Sequence, residues 1–188
     1  MRKLLVGTVL AAALATPSAH AQDFRLTSPD LAEGGRIKAE QLNGAGCNGA
    51  NVSPALEWSG APSGTKSYAI TLFDPDAEVG RGWWHWIIYD IPASVTALPR
   101  NAGDPERRLA PASSVQADTD AGTPGYGGPC PPKGDDEHRY VFKVYALDTD
   151  KLPAPAGSPA IPLHLHFHSL AQATLTGLYS RPGNARTP

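Results

Sequence analysis

Two short stretches and one long loop concentrate the side chains able to do chemistry in this sequence. Asp74-Pro-Asp76 sets two carboxylates directly after an apolar run, and Gly82-Trp-Trp-His-Trp86 sets an imidazole directly before the next. Far along the chain, Gly125-Tyr-Gly-Gly-Pro-Cys-Pro-Pro-Lys-Gly134 leads into His138-Arg-Tyr140. The glycines allow close backbone approach to a ligand, and the prolines hold the loop in one shape. Buried beside carboxylates, His85 and His138 are expected to favour the protonated form. Imidazolium groups, the Tyr140 hydroxyl and backbone N–H groups would together receive a phosphate or carboxylate. Asp-Pro-Asp on its own also caps turns. A shared site is favoured because His138 precedes Tyr140 by two, which puts both on one face of a strand. Trp84, Trp86, Tyr126 and Gly128 are expected to wall that pocket.

A second group competes for attention. His164, His166 and His168 alternate with Leu163, Leu165 and Phe167, so on a strand the three imidazoles would share a face. A His-x-His pair can chelate zinc or copper. No acidic or thiol ligand lies nearby in sequence, so the expectation is a polar strand face, with no metal and no other cofactor.

The elements that must position these groups read as β. Gly and Pro, 19 of each, punctuate short apolar runs in the manner of an all-β domain with many turns. Tyr68–Phe73, Trp86–Ile91 and Tyr140–Leu147 are the strong strand candidates, and Phe24–Thr27 and Ala55–Trp58 the weaker ones. Tyr140–Leu147 is apolar almost throughout, which predicts a strand covered on both faces. One helix is predicted: Ser169 and Gln172 have capping-box spacing, Leu170, Ala171, Thr174, Leu175 and Leu178 follow at helical spacing, and Arg181-Pro-Gly183 stops the run. Leu98 to Glu137 shows little periodicity, and its Cys130, prolines and Tyr126 suggest a long loop pinned to the body as a pocket wall.

The N-terminus reads as a targeting segment. Arg2 and Lys3 precede an apolar run from Leu4 to Ala15, and Ala19-His20-Ala21 offers a cleavage site after Ala21. Residues 1–21 are therefore expected to be a signal peptide and 22–188 a single domain in the periplasm or beyond. No later stretch is long and apolar enough for a transmembrane segment. Losing Arg2 and Lys3 would take the formal charge from −2 to −4, and without a Lys/Arg cluster there is little to attract nucleic acid. Cys47 and Cys130 are the only cysteines; in an oxidising compartment they are expected to pair. The competing reading, two ligands of a metal, lacks C-x-x-C spacing.

Several separated motifs, in order, resemble the phosphatidylethanolamine-binding protein family, also called Raf-kinase-inhibitor-like proteins. They are Asp74-Pro-Asp-Ala77, Trp84-His85, Gly128-x-x-Pro-Pro-x-Gly134 and His138-Arg-Tyr140. Asn51-x-Ser-Pro-x-Leu-x-Trp58, Gly64-Thr-Lys-Ser67 and Gly82-Trp-Trp-His-Trp86 are similar to its bacterial YbhB/YbcL branch, and the cysteine pair resembles the exported members of that branch. The resemblance implies a Greek-key sandwich of two antiparallel sheets with a short C-terminal helix. It also implies a pocket for phosphate-like anions, carried onto Asp74, His85, Pro132, His138 and Tyr140, with Asp76 adjacent. Trp84 stands where eukaryotic relatives often have histidine.

Three functions fit these residues. The first is a module binding phosphate or a phospholipid headgroup, with exposed loops for a partner. The second is a hydrolase of a phosphoester or similar substrate using His85 or His138 with Asp74, against which no G-x-S-x-G, free cysteine or P-loop is present. The third is a protein-interaction inhibitor with a vestigial pocket. The natural ligand and protein partner are not encoded in these motifs, and a homodimer is left open.

Overall fold

The computed structural model describes residues 23–77 and 79–183; the predicted signal peptide lies outside the described residues. Apolar runs bounded by turn residues become β1 (Arg25–Thr27), β2 (Gly35–Arg36), β3 (Leu56–Ser59), β4 (Ser67–Asp74), β5 (Trp83–Pro92), β6 (Ala97–Leu98), β7 (Val115–Gln116), β8 (His138–Leu147) and β9 (Ser169–Tyr179). Two short helices, α1 (Gly44–Cys47) and α2 (Ile161–His168), complete the set with a 3-10 turn at Ala39–Gln41. A six-stranded sheet runs β2-β9-β8-β4-β5-β7, and a three-stranded sheet runs β1-β3-β6. All pairings are antiparallel except β2 with β9.

Alternation along the central strands builds two cores on opposite faces of the large sheet. Ile70, Leu72, Trp86, Ile88, Tyr140, Phe142 and Val144 face the small sheet, meeting Leu26, Leu56, Trp58 and Leu98. Ala69, Ile87, Tyr89, Tyr145 and Leu147 face the other way and are covered by Leu152 and by Ile161 and Leu165 of α2. That second cover is why β4 and β8 read as unbroken apolar runs.

The sequence expectation of a helix over Ser169–Leu178 is corrected: this stretch is β9. It pairs with β8 from Ala146↔Ala171 to His138↔Tyr179. Its inward residues recur at every second position, with Ala171 and Ala173 followed by Leu175, and small Gly177 makes room for Ile37 and Leu31. Ten rungs of ladder outweigh a helical spacing of leucines that had no apolar surface to meet. The converse correction falls on the histidines. His164–His168 lies in α2, with Pro162 in the first turn, where proline is tolerated, and Ile161 and Leu165 buried one turn apart. The short helix near the C-terminus exists, one segment earlier than expected.

No helix among the described residues is long and apolar enough to cross a membrane.

Candidate functional site

Five segments converge at one end of the large sheet around a cavity of about 290 Å³. Asp74 closes β4, Trp83 and His85 open β5, and His138 and Tyr140 open β8. Ala77 and Val79 come from the β4–β5 connection, and Cys130, Pro131 and Pro132 from the long loop. Of the predicted site residues, Asp74, His85, Pro132, His138 and Tyr140 are thus brought together.

His85 reaches the cavity through a defect in the sheet. Leu72 pairs with Trp86 and Phe73 with Trp84, so His85 is the extra residue of a β-bulge. The bulge turns His85 and Trp86 to the same side of β5, which plain alternation forbids. The ring is then held by the long loop: its Nδ1–H donates to the Gly127 carbonyl at 2.8 Å, while Gly127 N–H donates to the His85 carbonyl at 2.7 Å. A carbonyl only accepts, so Nδ1 carries the proton and Nε2 presents a lone pair in the neutral ring.

His138 and Tyr140 share a face of β8 as expected, their rings stacked with centroids 6.2 Å apart, and His85 meets Tyr140 edge-on at 5.4 Å. His138 Nδ1–H donates to Asp74 Oδ2 at 2.8 Å, with both side chains almost wholly buried. The other Asp74 oxygen accepts from the Asp76 N–H at 2.9 Å, a turn closed by the carboxylate itself. Asp135 Oδ2 lies 3.5 Å from His138 Nε2 and is buried without a hydrogen bond among the described residues. Tyr140 is fully buried, and its hydroxyl has no partner among the described residues. Burial, followed by the Asp74 charge beside it, pushes the phenol well above its ordinary pKa, so it remains a donor.

One expectation about charge is corrected. His85 was predicted to be an imidazolium; burial instead pulls its pKa below the ordinary value, outweighing the Gly127 carbonyl and the Asp74 and Asp120 charges. A lowered histidine has a definite pH sign. The stability tied to a neutral His85 is fully present above the unfolded value of about 6.5 and is lost as pH falls through the lowered folded value. Were an anion to occupy the cavity it would reverse the preference, so such binding would take up a proton and tighten as pH falls from 8 to 6. Sulfate, which does not titrate in this range, is the probe: calorimetry in buffers of different ionisation heat should register that uptake. Sulfate binding independent of pH would remove His85 from the anion's contacts.

The remaining predicted residues lie near the cavity without lining it. Asp76 turns outward to clasp Arg139, at 2.9 Å to Nε and 2.7 Å to Nη2, and the guanidinium holds its carboxyl below the usual range. Trp84 falls on the opposite face of β5, against Phe73, and lines a neighbouring cavity with Arg81 and Asp120. Trp83 takes the wall position instead. Trp86 is core, its indole N–H donating to Gln116 Oε1 at 2.7 Å, and Tyr126 packs edge-on against it with its hydroxyl donating to the Gln41 carbonyl. Gly128 braces the loop: its N–H donates to Asn51 Oδ1, and a Cβ there would lie 2.2 Å from the Gln41 carbonyl oxygen. Pro131 and Asp135 are not among the expected site residues. Asp135 is one of three consecutive acids, Asp135-Asp-Glu137, and sequence offers no sign of which one turns inward.

Cys47 and Cys130 are joined in a disulfide with Cα atoms 5.6 Å apart, which ties α1 to the cavity wall. Arg181 spans the same junction, donating to the Gly46 carbonyl at 3.0 Å and the Pro131 carbonyl at 3.1 Å.

Comparison with known proteins places these features in company. A family model described as phosphatidylethanolamine-binding protein matches residues 27–180. The chain is 45% identical to the UPF0098 protein YbcL of Escherichia coli over 182 residues, covering 95% of this chain and 98% of that protein. It is 41% identical to the UPF0098 protein YbhB of the same organism over 160 residues, covering 84% and 100%. The crystal structure of E. coli YbcL superposes with a TM-score of 0.81 at 44% identity, covering 85% of this chain and 99% of that one.

Proposed function

The chain belongs to the phosphatidylethanolamine-binding protein family, and from that premise we propose that it is an exported binding protein for a small oxyanion. The ligand class is a phosphate, a phosphomonoester or a phospholipid headgroup, held among His85, His138, Tyr140 and Pro132, with the surrounding loops free to meet a protein partner. Export is supported by the Arg2-Lys3 start, the Leu4–Ala15 run and Ala19-His20-Ala21, and by the disulfide, which an oxidising compartment preserves.

One observation carries the binding reading: the fully buried hydroxyl of Tyr140 in the cavity lining, which leans toward the Asp74 carboxylate without a close hydrogen bond to any described residue. A buried hydroxyl without a partner costs about 1–3 kcal/mol, a cost that a ligand oxygen would remove. Beside it, neutral His85 Nε2 is an acceptor. A donor next to an acceptor suits a protonated phosphate, which can accept from the phenol and bring its own proton to the imidazole. An unprotonated oxyanion such as sulfate must instead take up that proton at His85.

The test separates stability from binding. Tyr140→Phe deletes one oxygen and keeps the ring, so the ligand-free protein should melt at the same temperature or higher. Phosphate affinity, read by calorimetry, should fall roughly 10- to 100-fold, as expected for a hydrogen bond to a charged group. His85→Ala should weaken phosphate as well. If both variants bind phosphate as the parent does, the cavity is not an anion site. Turnover of a phosphoester panel abolished by His85→Ala or His138→Ala would replace binding with hydrolysis.

A further inference from the structure

Helix α2 carries three imidazoles that the cavity does not use. On a helix, His164 and His168 fall one turn apart on one face while His166 points away. The rings of His164 and His168 lie almost parallel, at 16°, with centroids 6.5 Å apart. His166 instead packs edge-on against Phe167.

His168 is already oriented. Its Nδ1–H donates to Asp148 Oδ1 at 2.8 Å, and its carbonyl accepts from the Asp148 N–H at 3.0 Å. In the neutral ring the carboxylate fixes the proton on Nδ1 and leaves the lone pair on Nε2. Metal-ligating histidines use this arrangement, the outer carboxylate setting the ring's orientation and raising the basicity of the ligating nitrogen. His164 has no side-chain hydrogen bond among the described residues, and both rings are partly exposed.

We propose that His164 and His168 form a two-histidine chelate for a divalent transition ion of the Zn²⁺, Ni²⁺ or Cu²⁺ type. Imidazole nitrogen suits these ions rather than Mg²⁺ or Ca²⁺. No group of three or more His, Cys, Asp or Glu side chains able to hold an ion occurs among the described residues. Two side chains therefore hold this one, and water or a donor from a bound molecule fills the other positions. A metal–nitrogen distance of about 2.0–2.1 Å requires the two ligating nitrogens to come within about 4 Å of each other. His164, whose side chain has no hydrogen bond among the described residues, is the ring that swings, while His168 stays on Asp148. The order of affinity follows ligand field rather than a shaped cage, with Cu²⁺ tightest.

Titrating the untagged chain with Cu²⁺, Ni²⁺ and Zn²⁺ by calorimetry tests the site. The parent should take up one equivalent, Cu²⁺ most tightly. His164→Ala and His168→Ala should each weaken binding at least tenfold, and Asp148→Asn by about tenfold. His166→Ala should bind as the parent does, and Ni²⁺ should broaden the ring resonances of residues 164 and 168 first. Parent-like affinity in either His164→Ala or His168→Ala overturns the proposal. Loss on His166→Ala overturns it too, as does loss on His85→Ala, which would move the ion to the cavity.

Discussion

Replacing both cysteines by alanine should lower the unfolding free energy by about 4–5 kcal/mol. The bridge joins residues separated by 83 positions, and closing a loop of that length removes about 4.5 kcal/mol of chain entropy from the unfolded state. Guanidinium denaturation of the double variant against the oxidised parent reads the difference as a shift in midpoint. The cavity should suffer much less. Arg181 reaches across the same junction to the carbonyls of Gly46 and Pro131, so the wall keeps a second tie in the folded state. Phosphate affinity in Cys47→Ala/Cys130→Ala should therefore drop by no more than about threefold, a loss under ~1 kcal/mol. Adding Arg181→Ala to that background should produce the larger loss in binding. An unchanged midpoint would mean that the unfolded chain is already compact around this junction.

The site was legible wherever geometry follows from spacing within one strand. His138 and Tyr140 share a face because residues two apart on a strand always do. Asp74 could be placed because it ends an apolar run whose register against β5 and β8 is fixed by Ile70 and Leu72 in the core. Legibility failed where the backbone departs from plain alternation. The bulge at His85 keeps Trp83 at the cavity and turns Trp84 away from it, and nothing in Gly82-Trp-Trp-His-Trp86 signals an extra residue. It failed again for charge. His85 sits near two carboxylates, and sequence supports a raised pKa; the balance tips the other way because burial is a property of the packed loop.

Secondary structure is ambiguous in the sequence where two periods overlap. Ser169–Tyr179 has leucines at helical spacing, yet Ala171, Ala173, Leu175 and Gly177 also recur at every second position, and the open edge of β8 selects that pattern. Leu163, Leu165 and Phe167 alternate like a strand, but Ile161 and Leu165 are the pair that finds a core, one turn apart. In both segments the deciding surface lay elsewhere in the chain.

The other large effect is expected at Asp74. Its carboxylate accepts from His138 Nδ1–H and from the Asp76 N–H while almost fully buried. Asp74→Ala leaves both donors without a partner and should destabilise the fold by about 2–5 kcal/mol, the cost of two donors stripped of their acceptor. Asp74→Asn should cost much less, for a reason specific to His138. The amide oxygen can still accept from the Asp76 N–H, and the amide NH₂ then faces Nδ1, which becomes the acceptor. The His138 proton moves to Nε2, 3.5 Å from the buried and otherwise unbonded Asp135 Oδ2. Urea unfolding should therefore rank the parent above Asp74→Asn and both well above Asp74→Ala, and ¹⁵N chemical shifts of the His138 ring should report the tautomer exchanged in Asp74→Asn. Combining Asp74→Asn with Asp135→Asn should restore part of the missing cost, because the relocated proton loses its carboxylate. If Asn and Ala destabilise equally and the ring nitrogens do not exchange roles, Asp74 holds the turn at Asp76 and has no part in setting the proton on His138.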